Sequence, residues 1–366
     1  MASFVKISFA TQLSGDKAFY NQADYFAKTQ KDLASSETLS PDYAWNTESK
    51  TWRIAKHILA IIFFPIAIYN LLHFVLGKLV FLPASQGKNA QKAQAVRQDI
   101  LKDANWKYKR FSIEVDGEKI DAMILGREST LHNGRWMLVA NGNGGLYERA
   151  IAHGKELKPI LSEIHANGIV FNYPGVGASS GLPNCKTMEK AYRAMLRFLE
   201  DAQKGIGAKE IIGWSYSIGG GVQGQALESH ALQEGIKYAF VKNRTFSDLS
   251  SAASGVMGET SCLGRVAKVA TKAFGWNLNS VVSSKRLKVP EIIIQTADVQ
   301  KNTVLHDSSK IINDGIITAE ASLAKRLLDD AIRGQNKKFI GVKEPHDKHL
   351  SDLSFFAEQI NAALVP

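Results

Sequence analysis

From about residue 105 onward, short apolar runs recur along the chain and predict strands at residues 108–114, 119–125, 136–140, 169–172, 210–214, 238–241, 291–295 and 338–342. The runs are rich in Val, Ile, Tyr and Phe and are bounded by Gly, Asn and Asp, the punctuation expected of strands. Asp116-Gly117 supplies a hairpin turn between the first two. Helical spacing fills most of the later gaps. Two antiparallel strands followed by alternating strand and helix predict an α/β fold with a mostly parallel, eight-stranded sheet flanked by helices. Residues 248–288, between the sixth and seventh strands, leave room for a small cap.

The N-terminal part has a different pattern. Residues 1–50 are polar, with Phe19/Tyr20 and Tyr25/Phe26 at helical spacing and a break at Pro41. No catalytic signature occurs there, so the region is expected to be helical and to pack on a neighbour. Residues 57–77 are 21 uncharged residues between Lys56 and Lys78. A helix of that length could span about 30 Å of hydrocarbon. Pro65, Asn70 and His73 argue against a simple span. A kinked or interfacial helix, or a lid over an active-site entrance, fits the same pattern. Residues 86–103 predict an amphipathic helix leading into the main domain. The expected division is therefore 1–50, 51–104 and 105–366.

Charge narrows the partners. The 366-residue chain carries a formal net charge of +10, which favours an anionic partner. Between residues 51 and 98 there is no Asp or Glu, while Arg53, Lys56, Lys78, Lys88, Lys92 and Arg97 supply six positive charges beside the most apolar segment. Such flanking charges suit an anionic membrane surface, each contributing on the order of 1 kcal/mol. Nucleic acid is disfavoured because no reading motif is present. Cys185 and Cys262 lie outside disulfide or metal-binding spacing, and no cofactor or metal is called for. The N-terminus lacks the apolar core of a cleaved signal. A cytoplasmic or membrane-associated protein is expected, and secretion by a route without a cleaved signal is compatible.

Three glycine-rich stretches carry the candidate chemistry: Asn141-Gly-Asn-Gly-Gly145, Asn172-Tyr-Pro-Gly-Val-Gly-Ala-Ser-Ser-Gly181 and Gly213-Trp-Ser-Tyr-Ser-Ile-Gly-Gly-Gly221. Each follows a predicted strand, as an oxyanion loop, a second loop and a nucleophile elbow would. A serine hydroxyl needs a base, a group orienting that base, and donors for the developing oxyanion. Ser217 is the preferred nucleophile because Gly219, Gly220 and Gly221 then open the next helix and let it approach the strand closely. Ser215 is the competing register. The expected oxyanion donors are the amides of Ile218 and Asn143. Chain order Ser, Asp, His places the acid at Asp298, just after the seventh predicted strand, with Asp248 as fallback. His346 and His349 both follow the last predicted strand, and His349 is preferred because it leads into a capped helix. A phosphate loop is disfavoured by the absence of a Walker lysine.

At these three stretches, and at the strand ending in Asp298, the chain resembles the α/β-hydrolase superfamily over about residues 105–366. Within it the chain looks most like serine hydrolases of the Bem46 type and related chlamydial and Legionella proteins, some of them translocated effectors with lipase-like domains. Two positions depart from the pattern: Asn141-Gly142 stands for the usual His-Gly, and Ser215 for the first elbow glycine. The resemblance implies a serine esterase or lipase with a Ser-His-Asp triad, and the basic apolar segment favours a lipid or other apolar acyl ester. The alternatives are a membrane-binding interaction protein on a hydrolase fold without turnover, and a thioesterase or peptidase.

Overall fold

A computed structural model describes residues 33, 36–45, 51, 55, 68, 71, 75, 88–330 and 336–365. The expected helical region around Phe19 to Phe26, and nearly all of the apolar segment 57–77, lie outside the described residues. Among the described residues no helix is long and apolar enough to cross a membrane.

Among the described residues the strands are β1 (Glu37–Tyr43), β2 (Lys107–Val115), β3 (Glu118–Gly126), β4 (Arg135–Ala140), β5 (Asn167–Phe171), β6 (Glu210–Tyr216), β7 (Lys237–Asn243), β8 (Glu291–Thr296), β9 (Thr303–Val304) and β10 (Lys337–Val342). They form one sheet in the order β1-β2-β3-β5-β4-β6-β7-β8-β10-β9. The eight expected strands are all present, and the Asp116-Gly117 turn joins β2 to β3, with both residues at positive φ. From β5 to β10 across the sheet the pairings are parallel.

The two additional strands are the sheet edges. β1 falls in the region expected to be helical, and it pairs parallel to β2 with a register shift between Thr38 and Asp42. Pro41 lies within that shift. A proline has no N–H to donate, so it is tolerated on an edge strand, and it weakens the sequence signal for any strand there. β9 has only two residues, too few for a periodicity to register.

Among the described residues the helices with both ends described are α1 (Lys88–Ile100), α2 (Tyr147–Ala152), α3 (Leu157–Glu163), α4 (Cys185–Glu200), α5 (Ile218–Ser229), α6 (Leu249–Val256), α7 (Cys262–Ala273), α8 (Val281–Arg286), α9 (Leu323–Asp329) and α10 (Leu353–Leu364). They cover both faces of the sheet. β4 shows why its sequence reads as a continuous apolar run: Trp136 and Leu138 join one core with Tyr192 of α4 and Val222 of α5, while Met137 and Val139 join another with Ile160 of α3 and Phe356 of α10. A strand buried on both faces has no polar side to alternate with.

Residues 248–288, the stretch expected to form a small cap, contain α6, α7 and α8. This stretch leaves the sheet after β7, at the strands' C-terminal ends. β4 and β6 are parallel neighbours with Ala140 opposite Ser215. That register sets Asn141 and Gly142 beside Tyr216 and Ser217, where an open α/β sheet forms its crevice.

Candidate active site

Ser217 stands between β6 and α5 with φ 53° and ψ −122°. A non-glycine residue at positive φ is strained, and a sharp strand-to-helix turn is what lifts a side chain clear of the sheet. The surroundings hold the turn in place. The Ser217 N–H donates to the Asn243 carbonyl at 3.0 Å, and its own carbonyl accepts from Gly220 N–H at 2.9 Å and Thr245 Oγ1 at 2.8 Å. Gly219 permits the tight return: a Cβ there would lie 2.2 Å from the Ala140 carbonyl oxygen, so α5 packs against β4 with no space for a side chain.

Ser215 has a different fate. It is fully buried, and its hydroxyl donates to the Val241 carbonyl at 2.9 Å, with Gln223 Oε1 as a second, longer contact at 3.3 Å. The strand-to-helix turn therefore falls at Ser217, and Ser215 lies in the core.

Ser217 Oγ lies 3.0 Å from His346 Nε2, and His346 Nδ1 lies 2.8 Å from Asp314 Oδ2. Of the two histidines after β10, the preferred His349 is the one the fold does not bring to the serine. The His346 backbone N–H donates to the Asp314 carbonyl at 2.7 Å, Tyr216 donates its hydroxyl to the His346 carbonyl, and Arg244 Nη1 donates to Pro345 and Lys348 carbonyls. These contacts turn His346 inward. His349 is exposed, and its Nδ1 lies 3.3 Å from Glu156 Oε1.

The expected acid is displaced as well. Asp298 is exposed just beyond β8, and its amide donates to the Lys310 carbonyl at 2.8 Å. After β8 the chain runs out through β9 and returns antiparallel, with Ala297 bridged to Ile311 and Ile312 N–H donating to the Thr296 carbonyl at 3.2 Å. That excursion brings Asp314, rather than Asp298, to the space beyond the strand end. The turn residues Asn313-Asp314-Gly315, with Gly315 at φ 98°, were the available signal. Asp248, the fallback, caps α6 by accepting from Ser251 N–H at 2.9 Å.

Asp314 is buried, and burial raises its carboxyl pKa. The hydrogen bond and charge of His346, with the amides of Ile317 and Ile316, outweigh this and hold it below the ordinary carboxylate value. Those amides donate to Oδ1 at 2.6 and 2.9 Å. One oxygen is thereby fixed by backbone, which leaves the other for the imidazole.

Ile218 opens α5, so its N–H belongs to the first-turn donors that no intrahelical carbonyl can accept. Opposite it, a Cβ on Gly142 would lie 3.5 Å from Ser217 Cβ and only 2.6 Å from the Tyr216 ring, which sets the loop backbone directly beside the elbow. The Gly142 carbonyl accepts from Gly145 N–H at 3.1 Å inside the loop turn. In a trans peptide the following N–H, that of Asn143, points the opposite way, out of the turn. Behind Tyr216 lies a cavity of about 210 Å³ with an apolar floor of Met137, Val139, Ile160 and Trp214 and a rim including Arg244 and His349. Among the described residues no group of three or more His, Cys, Asp or Glu could hold a metal ion.

The model of the family described as Chlamydia CHLPS protein (DUF818) matches residues 21–363. The chain belongs to that family. No curated protein matches it. Among solved structures it is similar to an α/β hydrolase from Vibrio vulnificus, at 16% identity over 89% of this chain and 97% of that one with a TM-score of 0.56. An esterase from Pyrococcus furiosus aligns at 15% identity over 72% of this chain and 94% of that one, with a TM-score of 0.50. These likenesses, with the strand order and the helices on both faces, establish the α/β-hydrolase fold for this family member.

Proposed function

We propose that the protein is a serine hydrolase of acyl esters. The observation that carries this reading is the hydrogen-bonded chain Ser217 Oγ, His346, Asp314 at a strained strand-to-helix turn. A fold alone does not specify a reaction, so the reading rests on the site. His346 accepts the Ser217 proton as the hydroxyl attacks the acyl carbonyl. The N–H groups of Ile218 and Asn143 stabilise the oxyanion, and Asp314 holds the imidazole in the productive tautomer. The alcohol then leaves with the proton from His346. Water hydrolyses the acyl-enzyme by the same route in reverse.

Support for an ester substrate comes from the likeness in fold to the Pyrococcus furiosus esterase, and support for an apolar one from the acid-free, basic segment 51–98. The glycine-rich motifs support a kinship with Bem46-type and effector lipases, and the chlamydial family match supports its chlamydial part. The test is hydrolysis of a series of p-nitrophenyl acyl esters by the full chain. The proposal expects turnover that Ser217→Ala removes, and no turnover of any ester by the folded protein would overturn it.

A further inference from the structure

Helix α7 (Cys262–Ala273) presents its apolar residues to the outside. Leu263, Val266 and Val269, spaced along one face, are 69%, 58% and 67% exposed, and the end of α6 adds exposed Val256 and Met257. Soluble surfaces expose single apolar side chains routinely, but a contiguous stripe of them is an interaction surface. The edge of α7 that faces the protein is small: Gly264 and Thr271 are its buried residues, and a Cβ on Gly264 would lie 3.0 Å from the Ser254 carbonyl of α6. Packing on α6 is thus satisfied by a different edge. The apolar stripe points away from it.

Charge selects the occupant. From residue 260 to 290 the chain has no Asp or Glu and six basic residues, of which Arg265, Lys268 and Lys272 are exposed on α7 beside the stripe. The apolar segment 57–77, nearly all of it outside the described residues, is also flanked only by basic residues, so docking it on α7 would set like charges together. A second copy meeting α7 face to face would do the same. A surface that is apolar inside and negative at its rim answers both features, as it does for interfacial helices.

We propose that α7, with the end of α6, docks on an anionic lipid bilayer. The helix inserts its Leu263, Val266 and Val269 face to the level of the acyl boundary while Arg265, Lys268 and Lys272 meet the headgroups. Because the cap leaves the sheet after β7, at the end that carries Ser217, docking brings the site to the source of an apolar ester. The proposal deepens the reading of an apolar substrate and rests on it for purpose, while its evidence is the helix surface.

The chain carries its own reporter. Cys262 is exposed at the start of α7, whereas Cys185 is buried, and burial pushes that thiol up to about 12. An environment-sensitive fluorophore attached to Cys262 of the full chain, titrated with phosphatidylcholine vesicles containing phosphatidylserine, is expected to shift to the blue and brighten at least twofold. High salt should weaken the response, and the combined Leu263→Ser, Val266→Ser and Val269→Ser variant should lose it. Pure phosphatidylcholine vesicles should elicit at least tenfold weaker binding. The proposal is overturned if the chain sediments with vesicles while the probe stays water-exposed, or if neutral vesicles bind equally. A blue-shifted probe without vesicles would also overturn it, accompanied by a doubled mass for a second copy or relieved by deleting residues 51–87 for the chain's own segment. Hydrolysis of a soluble short-chain ester, measured in parallel, separates the two readings. The triple serine variant should retain it within twofold, and its absence from the wild type would remove the catalytic reading without touching docking.

Discussion

Ser217 holds its hydroxyl at a backbone geometry, φ 53°, that β-carbons resist, and the fold supplies compensating bonds to both its N–H and its carbonyl. Strain kept in place this way favours a residue whose exposure matters. Replacing Ser217 by Ala is expected to lower kcat by about 10⁶-fold. Ser215→Ala, which removes a buried hydroxyl bonded within the core, should leave kcat nearly intact and cost about 1 kcal/mol in urea unfolding. Asp314→Asn should lower kcat by about 10⁴-fold through loss of the correct imidazole tautomer. Asp298→Asn and His349→Ala should stay within a fewfold of wild type. Asp314 also sets a pH dependence. Its folded carboxyl titrates below its ordinary value, so its contribution to stability is fully present above the ordinary carboxylate range and is lost as pH falls through the depressed value. Unfolding midpoints measured across acid pH for wild type and Asp314→Asn should converge at the acid end. The turn at Ser217 was legible because glycines at fixed offsets mark it locally. The placement of Asp314 beside His346 was not, because it depends on a long excursion whose return is fixed by pairing of Ala297 with Ile311 rather than by local pattern.

The elements around the site are held by close approach and by buried charge. Helix α5 meets β4 at Gly219 with its missing side chain against the Ala140 carbonyl. Gly219→Val should therefore displace the helix, destabilise the fold by about 1–3 kcal/mol and reduce activity, as read by unfolding midpoint and ester turnover together. Strands β7 and β8 are tied by Lys242 and Glu291, whose side chains are wholly buried at 2.7 Å, with Ser284 of α8 bonded to both. Burial opposes the charge on Glu291, yet Lys242 and Lys337 hold its carboxyl below the ordinary value. Glu291→Gln leaves the Lys242 ammonium without its charge partner in the core and should cost about 3–5 kcal/mol. At this scale the sequence showed most of the strands through their apolar runs. It did not show β1, whose polar residues and Pro41 belong to an edge, or β9, which is too short to carry a period.

The whole molecule combines a mostly parallel sheet, legible from alternating strands and helices, with a strand order that the structure adds and a surface whose sign is uneven. Two stretches, residues 51–98 and 260–290, contain no Asp or Glu and hold six basic residues each. The first was visible from the sequence because apolar and basic residues adjoin in the chain. The second needed the structure, since only the packing of α7 shows that its apolar face is turned outward. In the proposals made above, the basic apolar stretches bear on where the protein acts, and Ser217, His346 and Asp314 on whether it acts chemically. The most direct measurement is reaction of the full-length chain with a fluorophosphonate probe, followed by peptide mapping by mass spectrometry, in wild type, Asp298→Asn and Asp314→Asn. The account predicts a single adduct on Ser217, formed at the same rate in Asp298→Asn and slowed by about a hundredfold or more in Asp314→Asn. An adduct on Ser215, or folded wild-type protein that takes up no probe, would contradict it.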